Sequence, residues 1–442
     1  MKRIQMIKSL SLENFKSFKN LDNLQIKPLT ILLGRNSCGK SSIIQSLLLL
    51  KQTIEQNNDS DLNVEGKYLK FSNLKDISYG LPNINNAAIT YEFGIQTGEE
   101  VSNIKLEFKN KKNEESYVPS LEAFIHKNST NQIDFKKIKN SDLSDNIKDL
   151  LKKLKEKKVD YIQGRSKFET VFKNFIPKAL RLVSNKDFIL PLNFAYENLI
   201  IDEFEKDLRR IKYLSPLRAS PERIYVHYSQ SASEISENGA NSAHVLWARR
   251  NEMVYFNKQE NNLLEALGKC IEILGLGQEI TSKKISDMIY QIGLKLKNSN
   301  SLVSLADVGF GYSQVLPVIL IGLLNNHNNL ILIEQPEIHL HPSSAGKLAD
   351  LFLAFVKDKK SFLIETHSQE FINKLRLRVI QDPSLKELIN IVFIDQDENG
   401  TKIKQFEIDE TGMFPEWPKG FLDESENIAR EILKARVKSR NA

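Results

Sequence analysis

The most constraining feature of the sequence is the segment at residues 34–41, GRNSCGKS, which fits the phosphate-binding pattern G-x-x-x-x-G-K-[ST]. An apolar run at residues 29–33 precedes it and predicts a buried strand, and a run of helical character follows at residues 42–48. Glycines let the backbone amides of such a loop turn toward a polyphosphate, and the N-terminus of the following helix adds a favourable dipole. The segment therefore predicts a strand–loop–helix unit that binds a nucleoside triphosphate.

The side chains of this loop predict separate contacts to the nucleotide. We expect Lys40 to reach the β- and γ-phosphates and Ser41 to ligate Mg²⁺. ATP and Mg²⁺ are thus the predicted cofactors. The other predicted cofactor-binding residues of the loop are Gly34, Asn36, Ser37, Cys38, Gly39 and Ser42.

Length and composition narrow the class of protein. A chain of 442 residues exceeds the usual size of one compact domain, and 41% hydrophobic with 27% charged residues is ordinary for a globular protein. A net charge of +6 permits a nucleic-acid partner without requiring one. The two cysteines, Cys38 and Cys270, predict no disulfide framework and a cytoplasmic location. The longest apolar run, at residues 315–324, is too short to span a bilayer, so no membrane partner is expected.

The sequence pattern divides the chain into four segments. Residues 1–108 carry the phosphate loop, and residues 109–212 are rich in Lys, Asn and Asp with helical periodicity at 147–154, which predicts an inserted, partly helical lobe. Residues 213–388 form a second lobe. Residues 389–442 are a C-terminal extension with strands, a turn and a last helix at 424–437.

A second set of polar residues follows two further predicted strands. The run at residues 329–333 is continuous and β-branched, as expected of a strand buried in a parallel sheet, and it ends in Glu334-Gln335-Pro336-Glu337. A carboxylate at such a strand end is typical of the acid that holds Mg²⁺ in P-loop ATPases, and Glu334 is the candidate. The strand at 361–364 precedes His367, whose ring could hydrogen-bond a γ-phosphate.

A glycine- and serine-containing segment lies upstream, at residues 307–314, directly before an apolar helical run. Its candidate residues are Gly311, Ser313 and Gln314, because a helix N-terminus of this composition can bind phosphate. A second phosphate-binding helix is redundant within one nucleotide site. The segment therefore predicts contact with a nucleotide bound to another copy of the chain.

The order of these motifs resembles the ABC-type ATPases of the SMC, RecF and OLD group. The resemblance rests on NFKSF at 14–18, the phosphate loop, the glycine/serine segment, the acidic strand end, HLHP at 339–342 and THS at 366–368. The segments YLSPLRASPER at 213–223, EQPE at 334–337 and WPKGF at 417–421 look like a stand-alone bacterial subfamily without coiled-coil arms. That subfamily is similar to ATPases of anti-phage systems such as Septu PtuA and PARIS AriA.

The resemblance implies an α/β fold, a P-loop ABC-type ATPase head with an inserted, partly helical lobe. It also implies a homodimer, or a higher homo-oligomer, with ATP between two copies, and a separate effector protein such as a nuclease. By the same resemblance, Lys16 and Ser17 approach the nucleotide, and Gly311, Ser313 and Gln314 read the γ-phosphate of the opposite subunit. His339 and Pro342 lie in the turn that crosses the interface, and His367 is the switch histidine.

Position 335 departs from the pattern of these ATPases, which usually carry a second acid there to activate water. An amide can orient water but cannot accept its proton. Two interpretations stay open. Either Glu337 supplies the missing carboxylate, or hydrolysis is slow and ATP mainly holds the dimer together. We favour slow hydrolysis with a contribution from Glu337, so the predicted catalytic residues are Glu334, Gln335, Glu337 and His367.

Other readings of the sequence remain as alternatives. A RecF-like repair ATPase would bind DNA, and the lysine-rich run at 152–158 is either a DNA contact or a solvated helix face. An OLD-like nuclease could use Asp395 and Asp397, although the following Asn-Gly favours a hairpin turn. Arg218 and Arg223 are either contacts to phosphate or nucleic acid, or structural ion-pair partners. The H-x-H of His339 and His341 lacks the further ligands of a zinc site.

Overall fold

The computed structural model describes most of the chain. The described residues are 7–56, 61–98, 100–113, 116–129, 131–138, 152, 168–183, 185–192, 200–226, 234–276, 279–286, 288–295, 302–308, 310–398, 400–409, 411–414, 431–432 and 434–436. Within them, no helix has the length and apolar character needed to cross a membrane.

The described residues form strands and helices throughout. The strands are β1 (Ile7–Phe15), β2 (Phe18–Gln25), β3 (Leu29–Gly34), β4 (Ala88–Thr97), β5 (Glu100–Asn113), β6 (Ser116–Lys127), β7 (Gln132–Asp134), β8 (Phe168–Lys173), β9 (Ile176–Leu182), β10 (Asn185–Pro191), β11 (Lys212–Leu214), β12 (Tyr225–Val226), β13 (Met253–Phe256), β14 (Gln259–Asn262), β15 (Glu279–Lys284), β16 (Ile289–Lys295), β17 (Leu302–Ser304), β18 (Leu330–Glu334), β19 (Ser361–Glu365), β20 (Ile389–Asp397) and β21 (Gly400–Phe406). The helices are α1 (Lys40–Glu55), α2 (Ile201–Arg209), α3 (Ser242–Arg249), α4 (Leu263–Leu274), α5 (Phe310–Leu324), α6 (Pro342–Lys357) and α7 (Gln369–Gln381).

A six-stranded central sheet positions the predicted site. Its strand order is β11-β18-β19-β3-β20-β21, and all its strands are parallel except β21, which pairs antiparallel to β20. β18 and β19 are buried along their whole length, as expected of continuous apolar runs covered on both faces. Because these strands are parallel, their carboxyl ends reach the same edge of the sheet, where the phosphate loop leaves β3.

The two faces of this sheet pack into two apolar cores. Leu332 belongs to a core that includes α1 and the antiparallel sheet β2-β1-β4-β5-β6-β7. Its neighbours Ile331 and Ile333 belong to the opposite core, which includes α4, α5, α6 and α7. This alternation follows from the two-residue period of a strand. Helix α1 thus lies between the two large sheets, and its N-terminus is fixed from both sides.

The predicted insert is mainly strand where the structure describes it. Residues 109–212 contribute the end of β5, then β6 to β10, with β10-β9-β8 as a separate three-stranded sheet. A helix among its described residues is α2, which packs Phe204 and Leu208 into the core. Of the helix predicted at 147–154, only Lys152 lies inside the described residues, and Trp417 and Phe421 lie outside them. The α/β class and the strand–loop–helix unit are confirmed, with a larger share of strand in the insert than the sequence predicted.

Candidate nucleotide-binding site

The phosphate loop between β3 and α1 depends on two glycines with positive φ. Gly34 has φ 148°, and a Cβ there would lie 2.1 Å from the carbonyl oxygen of Ile394 on β20. Gly39 has φ 102°, and a Cβ there would lie 2.2 Å from Oγ of Ser17. Residues with a side chain adopt this conformation at a steric cost. The pattern glycines are therefore required by the close approach of neighbouring strands as well as by the loop's own turn.

Lys40, the first residue of α1, folds back over the loop. Its Nζ donates to the carbonyl oxygens of Arg35 at 2.6 Å and Gly34 at 3.0 Å. Burial lowers the pKa of this ammonium, while the carboxylate of Glu365 opposes that shift. Loop carbonyls thus hold the cation at the place where phosphate oxygens would compete for it.

Two buried acids end the neighbouring strands β18 and β19. Glu334 accepts a hydrogen bond from the Tyr213 hydroxyl at 2.7 Å, and Glu365 accepts one from Oγ of Ser41 at 2.8 Å. Burial raises the pKa of Glu334 to about 7, and the charge of Glu365 adds to this shift. Burial also raises the pKa of Glu365, opposed by the Ser41 hydroxyl and by Lys40. Ser41 therefore links the phosphate loop to an acid on the strand between β18 and β3.

A cavity of about 660 Å³ opens above the phosphate loop, within the size range of small-molecule sites. Ten residues that were predicted to contact the nucleotide line it, together with two that were not. The predicted lining residues are Lys16, Ser17, Asn36, Ser37, Gly39, Lys40, Ser41, Ser42, Gln335 and His367, and the additional ones are Gln45 and Glu365. The other predicted residues, which do not line it, are Gly34, Cys38, Gly311, Ser313, Gln314, Glu334 and Glu337.

Gln335 reaches the cavity through a strained turn. Its φ is 45°, in the left-handed region, and its N–H donates to the carbonyl oxygen of Glu365 at 2.7 Å. The guanidinium of Arg218 donates to the carbonyl oxygens of Glu334 at 2.8 Å and Gln335 at 3.3 Å. Burial lowers the pKa of Arg218 to about 10, opposed by Glu337 and Glu334. Arg218 therefore has a structural role, but it acts through backbone carbonyls beside the site and not through the ion pair that the sequence suggested.

Glu337 faces the backbone of the next strand end and not the cavity. Its Oε1 accepts the N–H of His367 at 2.7 Å, and its Oε2 is buried without a hydrogen-bond partner. Burial raises the pKa of Glu337. His367 itself lines the cavity, and burial lowers its pKa with a smaller effect from Lys40. In this arrangement Glu337 positions His367, and water activation by Glu337 would require its carboxylate to turn.

Lys16 and Ser17 lie on the opposite wall of the cavity, at the turn between β1 and β2. The ammonium of Lys16 donates to Oε1 of Gln45 and lies 4.4 Å from the ring centre of Phe71. Burial lowers its pKa. Oγ of Ser17 is buried and has no hydrogen-bond partner, so it is available to a ligand in the cavity.

The glycine/serine segment lies at the start of α5, and Gly309 lies outside the described residues. Gly311 is half-buried, and a Cβ there would lie 3.1 Å from the carbonyl oxygen of His339. Ser313 and Gln314 are 8% and 4% exposed. Of the three predicted residues, Gly311 is therefore the most exposed, and it lies next to the turn that carries His339.

The remaining candidates lie outside the site. Asp395 and Asp397 belong to the β20–β21 hairpin, as the turn signal predicted, and Asp397 forms an ion pair with Lys402. Arg223 forms an exposed ion pair with Asp307 at 2.9 Å. His341 caps the N-terminus of α6. Among the described residues, no three His, Cys, Asp or Glu side chains are grouped in a way that could hold a metal ion.

Sequence reasoning missed Glu365 as a site residue and did not predict the contacts that Tyr213 and Arg218 make. Glu365 ends a short, fully buried strand just as Glu334 does, so the same strand-end argument would have found it. Tyr213 was noted only within a longer motif, and Arg218 was considered without its backbone partners. Their contacts to Glu334 and to its carbonyl depend on β11 pairing with β18, which joins segments more than 100 residues apart and leaves no local signal.

Comparisons with known proteins place this site in a family. A family model described as an AAA ATPase domain matches residues 6–372, and one described as a protein of unknown function (DUF3696) matches residues 386–432. A comparison with curated proteins gave no match.

Solved structures that are similar to this chain include three SMC heads. The SMC head domain from Thermotoga maritima is 11% identical, covers 91% of this chain and 100% of its own, and gives a TM-score of 0.42. The SmcHead bound to the C-winged helix domain of ScpA is 12% identical, covers 92% and 98%, and gives 0.45. The Smc head domain with an extended coiled coil bound to the C-terminal domain of ScpA derived from Pyrococcus furiosus is 11% identical, covers 97% and 99%, and gives 0.43.

The first family match spans most of the chain. It includes the phosphate loop, both acidic strand ends and His367, which are the parts that the structure brings together around one cavity. The chain therefore belongs to the family of AAA ATPase domains.

Proposed function

We propose that this ATPase binds Mg²⁺·ATP and hydrolyses it slowly. The bound nucleotide would control whether two copies of the chain pair. Pairing would in turn control a separate effector protein in bacterial anti-phage defence. The observation that carries the proposal is the cavity itself. It joins a complete phosphate loop to a strand end where Gln335 replaces the usual acid. Such a site is built to hold a triphosphate and is poorly equipped to deprotonate water.

The residues present fit a magnesium ion. Mg²⁺ prefers oxygen ligands, usually one or two carboxylates together with phosphates and water. The hydroxyl of Ser41 and the carboxylates of Glu334 and Glu365 supply such oxygens at one edge of the sheet. When bound, Mg²⁺ would neutralise charge on the β- and γ-phosphates.

Lys40, Ser17 and Gln335 would have different roles at this site. Lys40 would exchange the carbonyls of Gly34 and Arg35 for phosphate oxygens, and Ser17 would use its free hydroxyl on the same ligand. The amide of Gln335 can orient a water molecule, but it leaves the proton of that water without a strong acceptor. Slow hydrolysis follows from this chemistry.

Pairing of two copies is supported by the surface around Gly311. Gly311 lies against His339, so the start of α5 and the HLHP turn form one surface. None of the three residues predicted at the start of α5 lines its own chain's cavity. A helix N-terminus next to an exposed turn is suited to meet the phosphates bound by a second copy.

Steady-state ATP turnover of the wild type, Gln335→Glu and Lys40→Ala tests the proposal. We expect slow turnover by the wild type, faster turnover by Gln335→Glu because the new carboxylate accepts the proton, and loss of ATP binding by Lys40→Ala. Rapid wild-type turnover that Gln335→Glu leaves unchanged would refute the brake at position 335. No ATP binding by the wild type would refute the whole proposal.

The effector part of the proposal has its own test. Asp395 and Asp397 lie in a hairpin, so we expect the purified chain to leave plasmid DNA intact with Mg²⁺ or Mn²⁺ and ATP. Cleavage that Asp395→Asn abolishes would instead support an OLD-like nuclease. DNA binding that strengthens with ATP and weakens steeply with salt would support a RecF-like clamp.

A further inference from the structure

We propose that Glu365 is a second acid of the magnesium site, next to Glu334. Glu365 accepts the hydrogen bond of the Ser41 hydroxyl, and it determines how much Mg²⁺ increases the affinity for the nucleotide. This inference rests on the proposed binding of Mg²⁺·ATP. It concerns the residue that the phosphate-loop and strand-end motifs did not select.

The sheet order places Glu365 next to the phosphate loop. β19 lies between β18 and β3, and Glu365 is the register partner of Glu334 on one side and of Leu32 on the other. Glu334 therefore stands one strand farther from the loop than Glu365 does. The hydroxyl of Ser41 donates to Oε2 of Glu365 at 2.8 Å, so the acid contacts the loop's predicted metal ligand directly.

Because Glu365 and Glu334 are both buried, a nearby cation would stabilise their negative charges. Glu365 is 4% exposed and Glu334 is 8% exposed, on adjacent strands at paired positions. Buried carboxylates side by side are costly unless a positive charge or hydrogen bonds compensate them. The charge of Lys40 acts on Glu365, but its ammonium is bonded to the carbonyls of the loop, and phosphates would attract it. A divalent cation between loop and strand ends would compensate both acids.

Glu337, the other acid at this edge of the sheet, does not face the cavity. Oε1 of Glu337 accepts the N–H of His367, and Glu337 does not line the cavity, whereas Glu365 does. Since the described residues hold no group of three metal-binding side chains, the protein would supply two carboxylates and one hydroxyl. Phosphate and water oxygens would complete the six positions that Mg²⁺ requires.

Ser41 connects the two roles of Glu365. A serine hydroxyl has one hydrogen and two lone pairs. If its hydrogen stays with Glu365, a lone pair is directed to the metal, so Glu365 orients the ligand as well as adding negative charge. Partners of this kind typically change metal affinity 10- to 100-fold when they are removed.

The test is nucleotide affinity with and without metal. Binding of a non-hydrolysable ATP analogue would be measured by calorimetry in EDTA and in a Mg²⁺ series for the wild type, Glu365→Gln and Asp395→Asn. Asp395→Asn makes the same carboxylate-to-amide change at the same edge of the sheet, outside the cavity. Mn²⁺ binding to the protein–analogue complex, followed by electron paramagnetic resonance, gives a second readout that does not depend on turnover.

We expect the gain in affinity from Mg²⁺ to fall about tenfold or more in Glu365→Gln and to be unchanged in Asp395→Asn. Binding in EDTA should be equal to or tighter than that of the wild type, because a negative charge near the phosphates is removed. If Mg²⁺ increases the analogue affinity equally in the wild type and Glu365→Gln, and both bind Mn²⁺ equally, the inference is overturned. The proposal that the protein binds ATP would not be affected by that result. A wild type that binds no nucleotide would instead overturn the proposed function.

A variant that keeps the carboxylate charge distinguishes loss of a metal ligand from loss of folding. Glu365→Asp retains a carboxylate on a shorter side chain, so we expect it to keep more of the Mg²⁺ gain than Glu365→Gln while unfolding at a similar temperature. If both variants lose binding in EDTA as well as in Mg²⁺, Glu365 is a structural residue and the inference is wrong.

Discussion

Arg218 stabilises the backbone on which Glu334 and Gln335 stand. Arg218 is 9% exposed, and its guanidinium donates to both of their carbonyl oxygens. Replacement by methionine keeps an unbranched side chain but leaves those carbonyls without this donor. We expect Arg218→Met to lower the free energy of unfolding by about 2–3 kcal/mol, as for other lost hydrogen bonds to a charged group. Urea unfolding measures this directly.

Arg223 provides the matched control for that change. It lies on the same loop and forms an exposed ion pair with Asp307, of a kind that contributes at most about 1 kcal/mol. Arg223→Met should therefore cost less than Arg218→Met. Equal costs would mean that the contacts of Arg218 to Glu334 and Gln335 do not stabilise the fold.

A second prediction at this scale concerns Gly39. An alanine Cβ there would meet Oγ of Ser17 at 2.2 Å in a backbone with φ 102°, so the phosphate loop must shift. We expect Gly39→Ala to weaken binding of an ATP analogue at least tenfold. Gly80 also has a positive φ, 70°, but a Cβ there meets nothing within 4 Å. Gly80→Ala should cost some stability without loss of affinity, and equal affinities for the two variants would contradict the steric argument.

Among individual residues, the sequence predicted those whose role is local. Lys40 and Ser41 line the cavity because the eight consecutive residues of the pattern specify their geometry. Glu337, the suggested replacement base, faces the backbone of His367 because the left-handed turn at Gln335 and His339 redirects the chain. A turn of this kind is held by Arg218, which comes from a distant segment, so spacing along the sequence could not reveal it.

Lys360, at the scale of an element, also depends on a contact with a segment that is distant in the sequence. It precedes β19, and its Nζ donates to the carbonyl oxygens of Gly322 at 2.6 Å and Leu323 at 3.2 Å at the C-terminal end of α5. A cation at this end of a helix compensates the free carbonyls and the helix dipole. Burial nevertheless lowers the pKa of Lys360 from 10.5 to about 8, opposed by Asp358 and Cys270.

This shift predicts a pH dependence of stability. Between about pH 8 and 10.5 the unfolded chain keeps the lysine proton that the folded protein has already released, so the unfolded state binds more protons. Stability due to this group therefore rises with pH across that window. We expect the wild type to gain up to about 3 kcal/mol relative to Lys360→Met between pH 7 and 10. Lys359→Met, at the exposed neighbouring position, controls for loss of a lysine, and parallel curves for the wild type and Lys360→Met would contradict the prediction.

Elements with strong periodicity were predicted well. The runs at 29–33, 329–333 and 361–364 are β3, β18 and β19, and the helical run at 42–48 lies within α1. The small sheet β10-β9-β8 was not predicted, since the segment's lysines and asparagines resemble a solvated helix as much as an exposed strand face. Its strands are also paired with register shifts, which blur the two-residue alternation. Strand pairing of this kind is decided by packing and not by local preference.

For the whole molecule, the proposed pairing predicts a change of mass. With Mg²⁺ and a non-hydrolysable ATP analogue, we expect sedimentation to show twice the mass of the chain. Lys40→Ala should stay monomeric under the same conditions, because it lacks the bound nucleotide that would join the copies. Gly311→Gln, which puts a long side chain between α5 and the turn at His339, should bind the analogue and yet remain a monomer. A wild type that stays monomeric with the analogue bound would contradict the pairing.

The position of β20 has a consequence for how the protein is made. The strand that carries the phosphate loop, β3, has β19 on one side and β20 on the other, and the backbone of β20 reaches within touching distance of Gly34. The loop at residues 34–41 is synthesised long before β20, at Ile389–Asp397, which is its second neighbour in the sheet. A nascent chain therefore contains the complete phosphate-loop motif well before the strand that completes the site has been made. Nucleotide binding should begin only after β20 has been synthesised, so products that are truncated before β20 would not compete with folded molecules for ATP.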